Sequence, residues 1–143
     1  MQFPRGAGRW NGSHLYLQRC ITKKSEKLSL GNNLGWHNIE NNELKNAGHG
    51  GIEIEYCIDS IVQYNVFDNL MMTTQDFGCV YTYSNISHRD NHIRYNLFKN
   101  IPRHNQAYSI YNDGSYGVYI YGNLFYNTGD VFFNTGRDHA AKD

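Results

Sequence analysis

Apolar and polar residues alternate along most of the chain with a period of two, in short runs broken by Gly, Asn and Asp. That spacing predicts short strands joined by tight turns, and no stretch carries the 3.6-residue period of a helix. One run recurs. Residues 38–46 read Asn-Ile-Glu-Asn-Asn-Glu-Leu-Lys-Asn, and the pattern returns at 61–69, 92–100 and 119–127. Each copy has a β-branched residue, two residues, Asn, any residue, Leu or Phe, any residue, Asn. The internal Asn are Asn42, Asn65, Asn96 and Asn123. A second extended segment follows each copy, at 51–55, 79–83, 109–113 and 131–134.

A repeat of strand, turn, strand and loop at intervals of a few tens of residues predicts a solenoid. Parallel coils stacked about 4.8 Å apart place like residues above one another. Ile39, Val62, Ile93 and Ile120 form one internal ladder, and Leu44, Phe67, Phe98 and Phe125 a second. Asn42, Asn65, Asn96 and Asn123 sit at a corner, where Asn tolerates left-handed backbone and its amide bonds along the stack. The uneven repeat length puts the extra residues into one loop per coil. The expected fold is all-β, a right-handed parallel β-helix of about four to five coils over residues 31–139. Residues 1–30 form an irregular segment or partial coil, and 140–143 a tail.

Composition fits this. The chain has 143 residues, one domain's worth, with 12 Tyr, 14 Gly and 2 Pro. Lys+Arg and Asp+Glu are each 13, so the net charge is zero and offers no electrostatic case for a nucleic-acid or membrane partner. No apolar run reaches a membrane span, and no signal peptide is visible. Cys20, Cys57 and Cys79 are too scattered for a disulfide framework or a zinc site. The seven His lack ligand spacing, so no metal and no cofactor is expected. Asn11 and Asn85 begin glycosylation sequons, relevant only to a secreted eukaryotic protein.

The repeat, together with 76–82 (Asp-Phe-Gly-Cys-Val-Tyr-Thr), 89–96 (Arg-Asp-Asn-His-Ile-Arg-Tyr-Asn), 110–114 (Ile-Tyr-Asn-Asp-Gly) and 136–138 (Gly-Arg-Asp), resembles right-handed parallel β-helix proteins of the pectate-lyase-like superfamily. Within it the chain is similar to the central part of carbohydrate-active members, of glycoside hydrolase or polysaccharide lyase type. The resemblance implies a secreted protein acting on a polysaccharide or oligosaccharide, and it implies that acids after the Tyr-Thr and Ile-Tyr strands are catalytic.

Strand alternation sorts the candidate side chains. It points Glu53, Tyr81, Tyr111 and Phe132 outward in one column, and Glu55, Tyr83, Asp113 and Asn134 outward in another. Aromatic faces beside carboxylates and amides suit a sugar ring, so Tyr81, Tyr83, Tyr111, Phe132 and Asn134 are candidate substrate contacts. Arg89, Arg103 and Arg137 could hold a uronate by a bidentate fork. Candidate catalytic acids are Asp113 and Glu55, two coils or roughly 9.6 Å apart and so spaced for inversion, with Asp76 and Asp138 at strand–loop junctions. A lyase using an Arg or Lys base with Ca²⁺ is the alternative enzyme, and a non-catalytic glycan-binding or adhesin-type β-helix the alternative without chemistry. Apolar ladders exposed at the end coils would favour self-association.

Overall fold

The computed structural model describes residues 15–18, 21–23, 28–30, 37–55, 57–83, 89–103 and 106–134. All its regular elements are strands, arranged as a parallel β-solenoid in which the chain visits three sheets in turn. Sheet A holds β1 (Leu15–Gln18), β4 (His37–Glu40), β7 (Ile61–Gln63), β10 (Asn91–Arg94) and β13 (Val118–Tyr121). Sheet B holds β2 (Ile21–Lys23), β5 (Glu43–Lys45), β8 (Val66–Asp68), β11 (Leu97–Ile101) and β14 (Leu124–Thr128). Sheet C holds β3 (Leu28–Leu30), β6 (Ile52–Ile54), β9 (Phe77–Tyr83), β12 (Ala107–Asp113) and β15 (Asp130–Asn134). β1, β2 and β3 pair with β4, β5 and β6, so the sheets begin before residue 31.

The register reproduces both apolar ladders. Ile39, Val62, Ile93 and Ile120 are successive partners in sheet A. Leu44, Phe67, Phe98 and Phe125 are successive partners in sheet B, and their phenyl rings stack at 4.7 Å and 5.1 Å. Sheet C adds Ile52, Val80, Ile110 and Phe132. These columns fill the interior, and each ring packs on its copy in the next coil at van der Waals spacing.

The A–B corner has two residues in every described coil: Asn41-Asn42, Tyr64-Asn65, Tyr95-Asn96 and Gly122-Asn123. Coils hydrogen-bond through it, as in Val66 N to Asn42 O and Leu97 N to Asn65 O, both at 2.8 Å. The second residue of each pair forms the amide ladder. Asn96 Oδ1 accepts from Asn65 N and Asn65 Nδ2, each at 3.0 Å, while Asn96 Nδ2 donates to Val62 O at 2.9 Å and to Asn123 Oδ1 at 3.0 Å. Asn65 repeats the arrangement toward Asn42 and Ile39.

Two expectations are corrected. The left-handed residue at this corner is not the ladder Asn but the one before it: Asn41, Tyr64, Tyr95 and Gly122 have φ between 52° and 64°. The last Asn of each repeat, Asn46, Asn69, Asn100 and Asn127, is also left-handed; Asn69 Nδ2 donates to Asn46 Oδ1 and Asn127 Nδ2 to Asn100 Oδ1, while Asn100 Nδ2 donates to Asp68 Oδ1. Nor are the insertions confined to one loop per coil. They vary both between sheets B and C (46–51, 69–76, 102–106 and 129) and between sheets C and A (55–60, 84–90 and 114–117). Only the corner fixed by buried amides keeps its length, because each amide must meet its copy in the adjacent coil.

Asn65→Ala and Asn96→Ala should each lower the free energy of unfolding by roughly 1–3 kcal/mol, since each strands a buried N–H and a buried carbonyl. Denaturant titration checks this, and an unchanged midpoint in both variants would contradict it.

Candidate functional site

Sheet C carries the residues singled out for chemistry, and its strands are bent. The rings of Phe77 and Tyr81 stack at 4.2 Å, although four residues of straight strand span about 13 Å. The bend lies at Gly78. A Cβ there would stand 2.6 Å from Val80 O and 2.7 Å from Tyr111 N, so no side chain fits. On the neighbouring strand Tyr108 and Tyr111 meet edge to face at 5.3 Å. In each strand an aromatic ring near the start thus meets one at the fifth residue, while the two strands stay paired in parallel along their length.

That packing closes the aromatic column. Tyr81 and Tyr111 are register partners, as expected, with rings at 5.3 Å and 87°. They are only 8 % and 7 % exposed, so they do not form the open platform that alternation suggested. Phe77 covers Tyr81, and Tyr108 flanks Tyr111. Tyr83, at the end of β9, stays exposed 6.3 Å from Tyr81. Glu53 shares the column, paired with Tyr81, and is buried.

Each central tyrosine holds a carboxylate. Tyr81 Oη donates to Asp113 Oδ2 at 2.9 Å, and Tyr111 Oη donates to Asp76 Oδ1 at 3.0 Å. Asp113 ends β12 and is half-buried, whereas Asp76 is an exposed left-handed residue immediately before β9. The two phenols thus tie carboxylates from opposite ends of the bent strands to one aromatic pair. Burial pushes both phenol pKa values up, and their carboxylate partners push them further. Beneath the site Thr82 Oγ1 donates to Asn112 Oδ1 at 2.7 Å, and Ser115 Oγ donates to Tyr83 O at 2.7 Å, which fixes the ends of both strands.

Other candidates fall elsewhere. Phe132 pairs with Ile110, not Tyr111, and packs against the core, so its outward assignment is corrected; Phe133 is the partner of Tyr111. Asn134 pairs with Asn112 rather than Asp113, one position from the expected register. Glu55 lies just past β6, half-buried, and its carbonyl accepts from the Cys57 thiol at 3.2 Å. Arg89 is exposed at the turn into β10, bridged through its backbone to Ile58. Arg103 lines an open polar groove of about 340 Å³ along the B–C corner with Asn69, Asn100 and Asn127. Asp138 and Arg137, and with them Cys20, Asn11 and Asn85, lie outside the described residues. Among the described residues no three His, Cys, Asp or Glu side chains converge as a metal site, and no helix is long and apolar enough to cross a membrane.

The sequence reading missed a second concentration of aromatic and polar side chains, on the outer face of sheet A. Glu40, Gln63, Arg94 and Tyr121 are register partners. Gln63 Nε2 donates to Glu40 Oε2 at 2.8 Å, Arg94 Nε donates to Gln63 Oε1 at 2.9 Å, and Arg94 Nη1 donates to Tyr121 Oη at 2.8 Å. The repeated dipeptide Tyr64-Asn65 and Tyr95-Asn96 was the available signal.

No protein-family model, no curated protein and no solved structure matches the chain significantly.

Buried phenols that resist ionisation stabilise the native state fully below pH 10.0, their ordinary value, and that contribution is lost as pH rises beyond it. The Cys57 thiol, pushed up to about 12 by burial, acts in the same direction from its ordinary 9.0 upward. Stability should therefore fall above about pH 9 to 10, and the double variant Tyr81→Phe, Tyr111→Phe should show a shallower fall. Alkaline unfolding followed by tyrosinate absorbance measures this; the same slope in both proteins would contradict it.

Proposed function

We propose that the protein is a carbohydrate-active β-solenoid of glycoside hydrolase type, working at the outer face of sheet C with Asp113 and Asp76 as its carboxyl pair. The observation that carries this reading is the pair of tyrosine–carboxylate bonds, Tyr81 to Asp113 and Tyr111 to Asp76. Glycoside hydrolysis needs two carboxyl groups flanking one bond, each held in a fixed orientation. Here both are anchored to a single rigid ring pair, and the exposed Tyr83 beside them offers a face for a sugar. The resemblance of the repeat to carbohydrate-active β-helices supports the same substrate class.

A second reading, a glycan binder without chemistry, rests on aromatic surface alone, and the burial of Tyr81 and Tyr111, which leaves little open aromatic surface on this face, weighs against it here. It needs no catalytic pair, whereas the hydrolase does.

Plant, algal and animal polysaccharides should be screened for reducing-end release and, separately, for binding. Asp113→Asn should lower release by about 10²- to 10⁴-fold, the range typical of a lost general acid or base, since an amide keeps the shape but carries no transferable proton. Release that survives Asp113→Asn would remove Asp113 from the mechanism. Binding without release from the unaltered protein would establish the second reading.

A further inference from the structure

The left-handed A–B corner shows an anomaly of residue choice. A side chain in left-handed backbone costs roughly 1–2 kcal/mol, and Asn, Asp and Gly bear that cost best. Asn41 and Gly122 obey this at the corner, as do Asn46, Asn69, Asn100 and Asn127 at the next. Tyr64 and Tyr95 do not, at φ 55° and 52°. Two other unsuited residues are left-handed: Met71 at φ 61°, fully buried in the core, and Gln106 at φ 57°, a single exposed turn residue just before β12. Core packing does not explain the tyrosines, which are 53 % and 47 % exposed and pack only on each other and on surface neighbours. The same left-handed position carries a half-exposed aromatic ring in two successive coils.

The surroundings of these rings are ordered. Tyr64 and Tyr95 lie 5.7 Å apart and nearly parallel at 12°, and Tyr95 meets Tyr121 edge to face at 5.7 Å. Gly122 makes room for Tyr95, because a Cβ there would stand 2.5 Å from its ring. The Arg94 guanidinium sits 5.9 Å from the ring centroids of both Tyr95 and Tyr121. Beside this aromatic edge runs the hydrogen-bonded row Glu40–Gln63–Arg94–Tyr121, four coils long or about 14 Å.

We infer that this strip is a binding site for a neutral saccharide chain, distinct from the face of sheet C and independent of whether that face is catalytic. A sugar needs apolar surface to lie against and hydrogen-bond partners at its rim; Tyr64 and Tyr95, stacked on each other and half exposed, offer their outer edges, and the polar row beside them offers the partners. The polar groups are already bonded to one another, so little side-chain freedom remains to be lost when a ligand docks. Charge decides between saccharide classes. The one carboxylate and the one guanidinium of the row offset each other, so the row does not select a uronate, sulfated or phosphorylated chain, and a single Arg is a poor footing for nucleic acid.

The test is affinity electrophoresis of the full chain in gels containing a neutral β-glucan, xylan, mannan or galactan, with polygalacturonate as the anionic comparison. At least one neutral polymer should retard the protein. Tyr64→Asn and Tyr95→Asn should each weaken that retardation by about tenfold or more. Their melting temperatures should be no lower than that of the unaltered chain, because Asn suits left-handed backbone better than Tyr. Tyr95→Phe, which keeps the ring, should keep the retardation. Four results would overturn the inference: no retardation by any neutral polymer, retardation by polygalacturonate alone, undiminished retardation of both Asn variants, or retardation relieved by a proline-rich peptide but by no neutral oligosaccharide. Retardation without reducing-end release would remove the hydrolase reading and leave this one standing. Release by a protein whose retardation ignores Tyr64 and Tyr95 would do the reverse.

Discussion

Each described coil from Asn42 onward is tied to the next by a side-chain amide whose oxygen takes two hydrogens from the coil before it. Asn123 Oδ1 accepts the N–H and the Nδ2 of Asn96, Asn96 serves Asn65, and Asn65 serves Asn42. Each Nδ2 also returns a hydrogen to a carbonyl of the coil below, so that the corner has its buried polar groups paired. This is the constraint that sets the register of the molecule. Because the amide must lie over its copy, the corner keeps two residues in every described coil, and Ile39, Val62, Ile93 and Ile120 fall into one column on one side of it, Leu44, Phe67, Phe98 and Phe125 on the other. The remaining corners are free to lengthen and shorten.

Chemistry has room where the constraint is absent. The connection from sheet B to sheet C delivers Asp76 beside Tyr111, and the far end of β12 delivers Asp113 beside Tyr81. The bend at Gly78 brings Phe77 back over Tyr81 and turns an outward aromatic column into a covered cluster. The constrained corner contributes differently. Its backbone accepts Gly freely and Asn at less cost than other residues, so the two tyrosines it carries stand out as residues that the backbone does not require.

How much of this could be read in the sequence differed from place to place for physical reasons. Sheets A and B were legible because one residue type recurs at one offset and the strands are short and straight; period-two alternation then fixes what lies inside. Sheet C was legible only in its middle, where Ile52, Val80 and Ile110 align. The run Val131-Phe132-Phe133 is apolar at three successive positions, so alternation leaves its phase open, and the pairing of Phe132 with Ile110 decides it. The burial of Tyr81 and Tyr111 depends on Phe77 and Tyr108, which pack over them from the starts of the same strands, and no periodicity reports that. The Asn ladder was placed at the right corner but its backbone was assigned to the wrong residue, because Asn is suited both to left-handed φ and to amide stacking, and here neighbouring residues divide the two roles. Asp76 and Asp113 were each visible as acids at strand ends, but the tyrosine that holds each one belongs to another coil.

The most direct test of the account is hydrogen exchange of the side-chain amides, observed by NMR with the Asn Nδ2 resonances assigned. If the amide ladder holds the coils in register, the Nδ2 protons of Asn65 and Asn96, together with their backbone N–H groups, should exchange as slowly as the strand amides of Val62 and Ile93 and be released only by global unfolding. Exchange of these carboxamides at the rate of exposed Asn side chains, while the strands remain protected, would contradict it.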